Sequence, residues 1–351
     1  MTRAGWVGSY CLKIGCTVLQ KNGPQTEAKR MRDHFTIMSE RQPIPITEQS
    51  WGNDIPPLLT IMCITYNHER FIRRTIEGFL MQETTFPVEI VIHDDASNDG
   101  TADIVREYEL QHPTLITGVY QKENQYSKGR KASELIRELI RGSYVAHCEG
   151  DDFWTDPAKL QIQVGYLESH EDCVVSCHDA YSVDENGKLV HRSTMSRQQK
   201  RDFRARDLMY GRVHLPTMSR VYRNVLPREP IPERSHIVYG DMFMTSYLGQ
   251  FGGSHFHPEI KPAQYNMHRG GLWSMQSSQN QFRDRMVSCF WIHQYWKRMG
   301  MPDVAQAWLD DACPQSLHGS SGFALIREVA RRLSVRLGVH KLRARWLARV
   351  A

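Results

Sequence analysis

Long apolar runs are missing from this 351-residue chain, and none approaches the ~20 residues needed to cross a bilayer. No Gly-x-x-x-x-Gly-Lys and no Gly-x-Gly-x-x-Gly follows an apolar run, which removes support for ATPase and dinucleotide-binding readings. Internal repeats and low-complexity tracts are absent. Cysteine is sparse: the eight residues are scattered, and a chain long enough to bury a real core needs no disulfide staples. Met1 to Gln20 carries no signal-peptide pattern, because Lys13 and Gly15 interrupt its weakly apolar part. The expectation is a reducing, cytoplasmic setting. A surplus of one charge sign is missing as well. Of 44 Lys/Arg and 39 Asp/Glu, eight basic residues and one acid lie from Gly322 onward. The remainder, 36 basic and 38 acidic, is about neutral. A global nucleic-acid-binding surface is therefore not indicated.

What the chain does have is a concentration of acid at one place. Glu149, Asp151 and Asp152 follow directly on the apolar Tyr144-Val145-Ala146. A strand that ends in clustered carboxylates puts them at its C-terminal edge, where open α/β sheets bind ligands. Crowded carboxylates repel one another unless a cation sits between them. Oxygen-only ligands suit Mg²⁺ or Mn²⁺, the ions that accompany diphosphates.

A regular rhythm begins at Leu58. Leu58 to Ile64 reads as a strand buried on both faces, and Val88 to His93, Leu115 to Tyr120 and Ser143 to Cys148 read as further strands. Phe71 to Leu80, Thr101 to Gln111, Ala132 to Arg141 and Pro157 to Ser169 read as the helices between and after them. Alternation of this kind predicts a parallel sheet with right-handed crossovers. Cys173 to Cys177 is a further strand, and their apolar setting with His178 favours a buried strand over a zinc site. Beyond Asp184 the pattern is irregular, with helices expected at Arg206 to Tyr210 and Tyr239 to Leu248. Residues 1–57, closed by Pro43, Pro45, Pro56 and Pro57, read as a poorly ordered N-terminal extension. Residues 276–351 read as helical.

Polar motifs follow successive strands and so share one sheet edge: Thr65-Tyr66-Asn67, Asp94 to Thr101, and Glu149 to Asp152. With Thr65-Tyr-Asn-His-Glu69, Asp94-Asp-Ala-Ser-Asn-Asp-Gly-Thr101, Glu149-Gly-Asp-Asp-Phe-Trp-Thr-Asp-Pro157, Tyr239-Gly-Asp241 and Tyr265-Asn-Met-His-Arg-Gly-Gly-Leu-Trp-Ser274, the chain resembles the family 2 glycosyltransferases from about Leu58 to Ser274. These are inverting, nucleotide-sugar-dependent enzymes. The resemblance implies a GT-A fold: a Rossmann-like, mostly parallel α/β sheet with flanking helices, here with C-terminal helices added. It implies a nucleotide-binding half over 58–160 and an acceptor half over 161–275.

The resemblance also implies roles. Ile64, Thr65, Tyr66 and Asn67 would cradle the nucleoside of a nucleotide-sugar, with Glu69 in the same motif. Asp95 would accept from a uracil N–H, and Asp94 would support the loop. Asp151 would face the ribose or donor sugar. Asp152 would ligate Mn²⁺ or Mg²⁺, and Glu149 stands where the family often has Asp. His268 would reach the metal or the diphosphate. Asp241 would be the general base toward the acceptor hydroxyl; an N-cap is its plainer alternative. Asp99 reads more simply as a cap of the next helix. Asn266 stands where the family usually has Arg.

The activity implied is transfer from a nucleotide-sugar, with UDP the expected nucleotide, to a glycan or lipid-linked acceptor in cell-surface polysaccharide synthesis. The alternatives are a nucleotidyltransferase of similar layout and a catalytically inactive binding subunit. Finally, apolar residues from Phe323 to Trp346 recur at helical steps among arginines. A basic amphipathic helix over 323–350 could lie on an anionic membrane, placing the protein on the inner face of the cell membrane, or pack on the domain.

Overall fold

The computed structural model describes residues 42–52, 54–227, 229–268 and 276–312. Apart from Gln42, they fall in one compact unit that starts at Pro43. The first strand is short: β1 (Ile44–Pro45) pairs with β3 (Glu83–Thr84) after β2 (Leu59–Thr65) and helix α1 (Ile72–Leu80). Ile46 is buried, and Gln49 Nε2 donates to the Thr84 carbonyl at 2.7 Å. The packed body thus extends upstream of the boundary expected at residue 57. The rest of the expected extension lies outside the described residues.

β2 carries Leu59, Ile61, Met62 and Cys63 fully buried, because it lies inside a sheet covered on both faces. In α1 the buried residues Ile72, Thr75, Ile76 and Phe79 recur at helical spacing and form the face laid on the sheet. The chain then runs through β4 (Val88–Asp94), α2 (Thr101–Gln111), β5 (Ile116–Tyr120), α3 (Ala132–Leu135), β6 (Tyr144–Glu149), α4 (Lys159–Ser169), β7 (Cys173–Cys177), β8 (Ala180–Val183), β9 (Leu189–His191), α5 (Ala205–Met209), β10 (Val221–Arg223), α6 (Gly240–Leu248), β11 (Gly253–Phe256), β12 (Ala263–Asn266), α7 (Ser278–Arg298) and α8 (Pro302–Ala312).

One expected helix is cut short. Ala132 to Arg141 splits into α3 and a 3₁₀ turn at Arg137–Leu139. The cause lies downstream: Arg141 is drawn to Glu89 by its backbone and guanidinium, and a Cβ on Gly142 would sit 2.5 Å from the Thr60 backbone nitrogen. The chain must leave the helix there to enter β6.

The main sheet has the order β11-β7-β10-β6-β2-β4-β5. All its strands run one way except β10, which is antiparallel to both β6 and β7. The C-terminal ends of β2, β4 and β6 therefore share an edge with the N-terminal start of β10. A small sheet, β12-β8-β9, stands beside it, and an isolated bridge from Phe153 to Gln264 ties it to the turn after β6. α7 and α8 pack on α6 through Phe243, Tyr247, Cys289, Ile292, Trp296 and Trp308. Gly211, with a left-handed φ of 70°, leaves the space that the Trp308 ring occupies. The helices expected from residue 276 are present to 312; the basic helix expected at 323–350 lies outside the described residues. No helix among the described residues is long and apolar enough to cross a membrane.

Candidate functional site

The loops after β2 and β4 are laced together. Asn67 takes a left-handed φ of 56°, which asparagine tolerates better than most side chains. Its backbone N–H donates to Ser97 Oγ at 2.9 Å, and its Oδ1 accepts from the Asn98 N–H at 2.9 Å. The His68 N–H donates to Thr101 Oγ1. Glu69 Oε2 accepts from the Gly100 N–H, while the Glu69 N–H donates to Asp99. Asp99 Oδ1 also accepts from the Thr101 N–H and hydroxyl at 3.0 and 2.6 Å, so it caps the start of α2. Burial would raise the Asp99 pKa, but these bonds outweigh it and hold the carboxyl below its ordinary value.

Asp94 and Asp95 are both buried. Asp94 Oδ2 accepts from the Ser97 N–H. Asp95 spends its carboxylate on main chain: Oδ1 accepts from the Gln125 N–H at 2.7 Å and Oδ2 from the Tyr126 N–H at 3.0 Å. In this structure Asp95 clamps the segment after β5, a job sequence reading did not foresee. Tyr66 is exposed at the loop tip.

The turn after β6 is different. Gly150 is required there: a Cβ would lie 2.4 Å from Thr65 Oγ1. The Thr75 hydroxyl of α1 bonds the Gly150 and Asp152 carbonyls at 3.0 and 2.8 Å, which hooks the turn to the first helix. Trp154 is fully buried beneath it, with Nε1 donating to the Met218 carbonyl. On the other side β12 supplies Asn266, whose backbone N–H donates to Asp152 Oδ1 at 3.4 Å and whose amide donates to the Asp151 carbonyl. Asn266, at the position where the resembled family usually has Arg, thus braces the turn through main chain and amide.

Glu149, Asp151 and Asp152 offer ligand oxygens within 4.8 Å of one another. Asp152 Oδ2 and Asp151 Oδ1 are buried with no hydrogen-bond partner. Burial and then the charges of Asp151 and Glu149 push the Asp152 carboxyl well above the ordinary carboxylate range. Glu149 is exposed as a residue, but its carboxyl lies beside those of Asp151 and Asp152. Burial of its carboxyl there, then Asp151 and Asp241, push it up to about 8, with Arg220 pulling the other way. Burial would raise Asp151 too, yet the bond from His268 and the nearby His68 hold it below its ordinary value. The three carboxylates therefore oppose one another's ionisation. A cation would let all three ionise, and the two orphaned oxygens are what such an ion would need. The residues fit a divalent metal.

Asp151 Oδ2 lies 2.9 Å from His268 Nε2 and 3.7 Å from His68 Nε2. His268, expected to reach a metal or diphosphate, lies beside the acid turn. His68 was missed: only its position inside the first loop motif pointed to it. Burial lowers the His68 pKa, with the Asp151 charge pulling the other way.

Asp241 lies in the first turn of α6. Between it and Glu149 stands Arg220, buried, directly before β10. Its guanidinium donates to the Leu215 carbonyl at 2.9 Å and to the Asp241 carbonyl at 3.4 Å. Burial lowers the Arg220 pKa while the Asp241 charge raises it, which sets the two groups close together. Arg220 was also missed by sequence reading.

Comparison with known proteins agrees with this geometry. The family model described as Glycosyl transferase family 2 matches residues 60–224. The uncharacterized protein Rv1520 of Mycobacterium tuberculosis is 35% identical over 217 residues, 61% of this chain and 60% of that protein. Chondroitin synthase of Escherichia coli is 31% identical over 137 residues, 38% of this chain and 19% of the synthase. The chain thus spans about three fifths or less of these relatives' lengths. Among solved structures, S. aureus TarS 1–349 in complex with UDP-GlcNAc superposes with a TM-score of 0.51 at 16% identity, covering 80% of this chain and 92% of that one.

Proposed function

We propose, for a chain that belongs to glycosyl transferase family 2 through residues 60–224, that it transfers a sugar from a nucleotide-sugar to a hydroxyl of a glycan or lipid-linked acceptor. Its fold is of the GT-A type. The observation that carries the reading is the turn Glu149–Asp152: crowded carboxylates with buried, unpartnered oxygens, set at the edge where three strand-end loops converge. A divalent cation held by Asp152 and Asp151, with Glu149 in reach, would supply Lewis-acid charge to a diphosphate leaving group.

The protein's own residues do the rest. The laced loops after β2 and β4 form a stiff cradle, with Ile64 to Asn67 and the exposed Tyr66 offered to the nucleoside. Asp94 supports that cradle, and Asp95 fixes the segment at Gln125 and Tyr126 on its rim. Asp241 takes the proton from the acceptor hydroxyl as it attacks. Arg220, bound to the Asp241 carbonyl, fixes where that carboxylate starts its helix and balances its charge. A base on the face opposite the leaving group gives inversion without a covalent intermediate.

We take the nucleotide to be UDP, the ion Mn²⁺ or Mg²⁺, and the setting cell-surface polysaccharide synthesis in the cytoplasm. The match to chondroitin synthase supports a glycan acceptor. The basic segment 323–350 would hold the enzyme on an anionic leaflet, near a lipid-linked acceptor. Truncation after Ser321 should then abolish co-sedimentation with anionic vesicles; equal partitioning of both forms would remove that role.

The central test is a panel of nucleotide-sugars incubated with protein, Mn²⁺ and glycan acceptors, scored for free nucleoside diphosphate. Release with one donor, stopped by EDTA, is expected. Pyrophosphate release from a nucleoside triphosphate instead would favour a nucleotidyltransferase.

A further inference from the structure

The segment between β7 and β10 carries two side chains that the mechanism above leaves unused. Gln199 ends a 3₁₀ turn (Arg197–Gln199) and spans to the stretch before β10. Its Oε1 accepts from the His214 N–H at 3.0 Å, and its Nε2 donates to the Arg212 carbonyl at 3.2 Å. One amide thus pins peptide groups on either side of Val213. Leu215 is buried in the core, and its carbonyl accepts from Arg220 Nε at 2.9 Å. His214 is anchored from both sides, yet it is itself exposed. An exposed ring whose backbone is fixed in this way is preorganised to meet a group from outside the chain.

The guanidinium that holds Leu215 also reaches the Asp241 carbonyl at 3.4 Å. One group therefore ties the main chain beside His214 to the main chain of Asp241. Burial and then Arg220 lower the His214 pKa, with the Asp241 charge pulling the other way, so the ring lies within range of that charge. Neither the imidazole nor the Asp241 carboxylate bonds the other or any further described residue.

We propose that His214 binds the acceptor through a sugar hydroxyl other than the one Asp241 deprotonates, with Gln199 as the residue that positions it. The inference rests on the reading of Asp241 as the base of a sugar transfer. A neutral imidazole offers one N–H and one lone pair, the complement of a hydroxyl. Arg220, the cation beside the base, spends its guanidinium on the Leu215 and Asp241 carbonyls and the Thr217 hydroxyl, so it is not offered to an anionic group. The acceptor unit favoured at this place is an uncharged sugar with at least two hydroxyls, not an alcohol with one.

The test uses full-length protein, Mn²⁺ and the donor that the nucleotide-sugar panel identifies. The acceptors are methyl glycosides of neutral hexoses, each intact and with single hydroxyls removed. Wild type should transfer to at least one glycoside. On one deoxy analogue that keeps the attacked hydroxyl it should lose about tenfold in kcat/KM, the scale of one hydrogen bond. His214→Ala should raise KM for the intact glycoside by about the same factor. It should show no further loss on that analogue, because both changes delete one contact. His214→Asn, which keeps a donor and an acceptor, should recover most of the KM. Gln199→Leu should raise KM in the same direction by less. Donor affinity, read by calorimetry, should hold in all three. An unchanged KM in His214→Ala overturns the proposal, as does an equal deoxy penalty in wild type and variant. So does a loss of donor affinity and melting temperature in step with KM, which would make the ring structural. Wild type that releases nucleoside diphosphate but transfers to no glycoside overturns this inference and leaves the transferase reading standing. No release from any donor strikes both.

Discussion

The loops after β2 and β4 and the turn after β6 meet at one sheet edge but treat their carboxylates differently. In the loops, Asn67, Glu69, Asp95 and Asp99 all find partners in the chain. In the turn, Asp151 and Asp152 each keep a buried oxygen with none, and like charges are pressed together. The loops spend most of their polar groups on one another, although Thr65 Oγ1, His68 Nδ1 and Asp94 Oδ1 are buried without a partner. The turn carries a cost that only a ligand removes, and it is held in place from outside by Thr75 and Asn266. Strain of this kind marks where chemistry is done, because a folded chain gains nothing from it otherwise.

The sharpest way to break the contrast is Asp152→Asn. It keeps the shape of the turn but removes an anionic oxygen. Divalent-dependent nucleotide binding should vanish, and in chelator the variant should melt higher than wild type, on a scale of about 2–4 °C per kcal/mol of relieved repulsion. A variant that binds normally, or melts lower, would mean the turn is merely structural. Next in size is Asp241→Asn, which cannot accept a proton. Turnover should fall by about 10²-fold or more while donor binding, measured by calorimetry, holds.

Smaller effects follow at residues outside the reacting groups. Lys159 is buried, its Nζ has no hydrogen-bond partner, and it sits 4.1 Å from the Trp154 ring under the turn. Burial depresses its pKa to about 7 from an ordinary 10.5. Between those values the unfolded chain holds the proton and the folded chain does not, so this group makes stability rise with pH across that window. Lys159→Met should flatten the rise and add roughly 1–3 kcal/mol at neutral pH, the cost of an unpaired polar group, read by denaturant unfolding. Smallest is Asp99→Ala in the laced loops: about 1 kcal/mol of stability lost with its helix cap, and Mn²⁺ affinity by EPR unchanged. An equal loss of Mn²⁺ affinity there would show that the two regions are not independent.

The stretch from β2 to β6 was legible because its strands announce themselves. Leu59 to Ile64, Val88 to His93 and Tyr144 to Cys148 are interior strands of a covered sheet, so their apolar runs are continuous. Asp99 was legible as a cap for a local reason, a carboxylate two residues before Thr101. Arg220 was not, because β10 is three residues long and reversed. A reversed strand delivers to the site the residue before it, whereas motifs sought after strand ends look the other way. The small sheet β12-β8-β9 was missed for a related reason: its strands are three or four residues long, too short for a period to mark them, and β12 pairs with β8 across more than 80 residues. His68 lay inside a motif read for its neighbours.

The reversed β10 also bears on how such a protein can change over generations. The chain leaves the main sheet at the end of β7 and returns to it at the start of β10, both on the edge that carries the site. Everything in between, residues 178–220, is an excursion that departs and arrives at nearly the same place. Such a segment can lengthen, shorten or be exchanged at little cost in closure entropy, without moving a strand of the parallel core. A lineage that keeps β2, β4 and β6 fixed can therefore alter the surface beside that edge by editing one stretch of sequence.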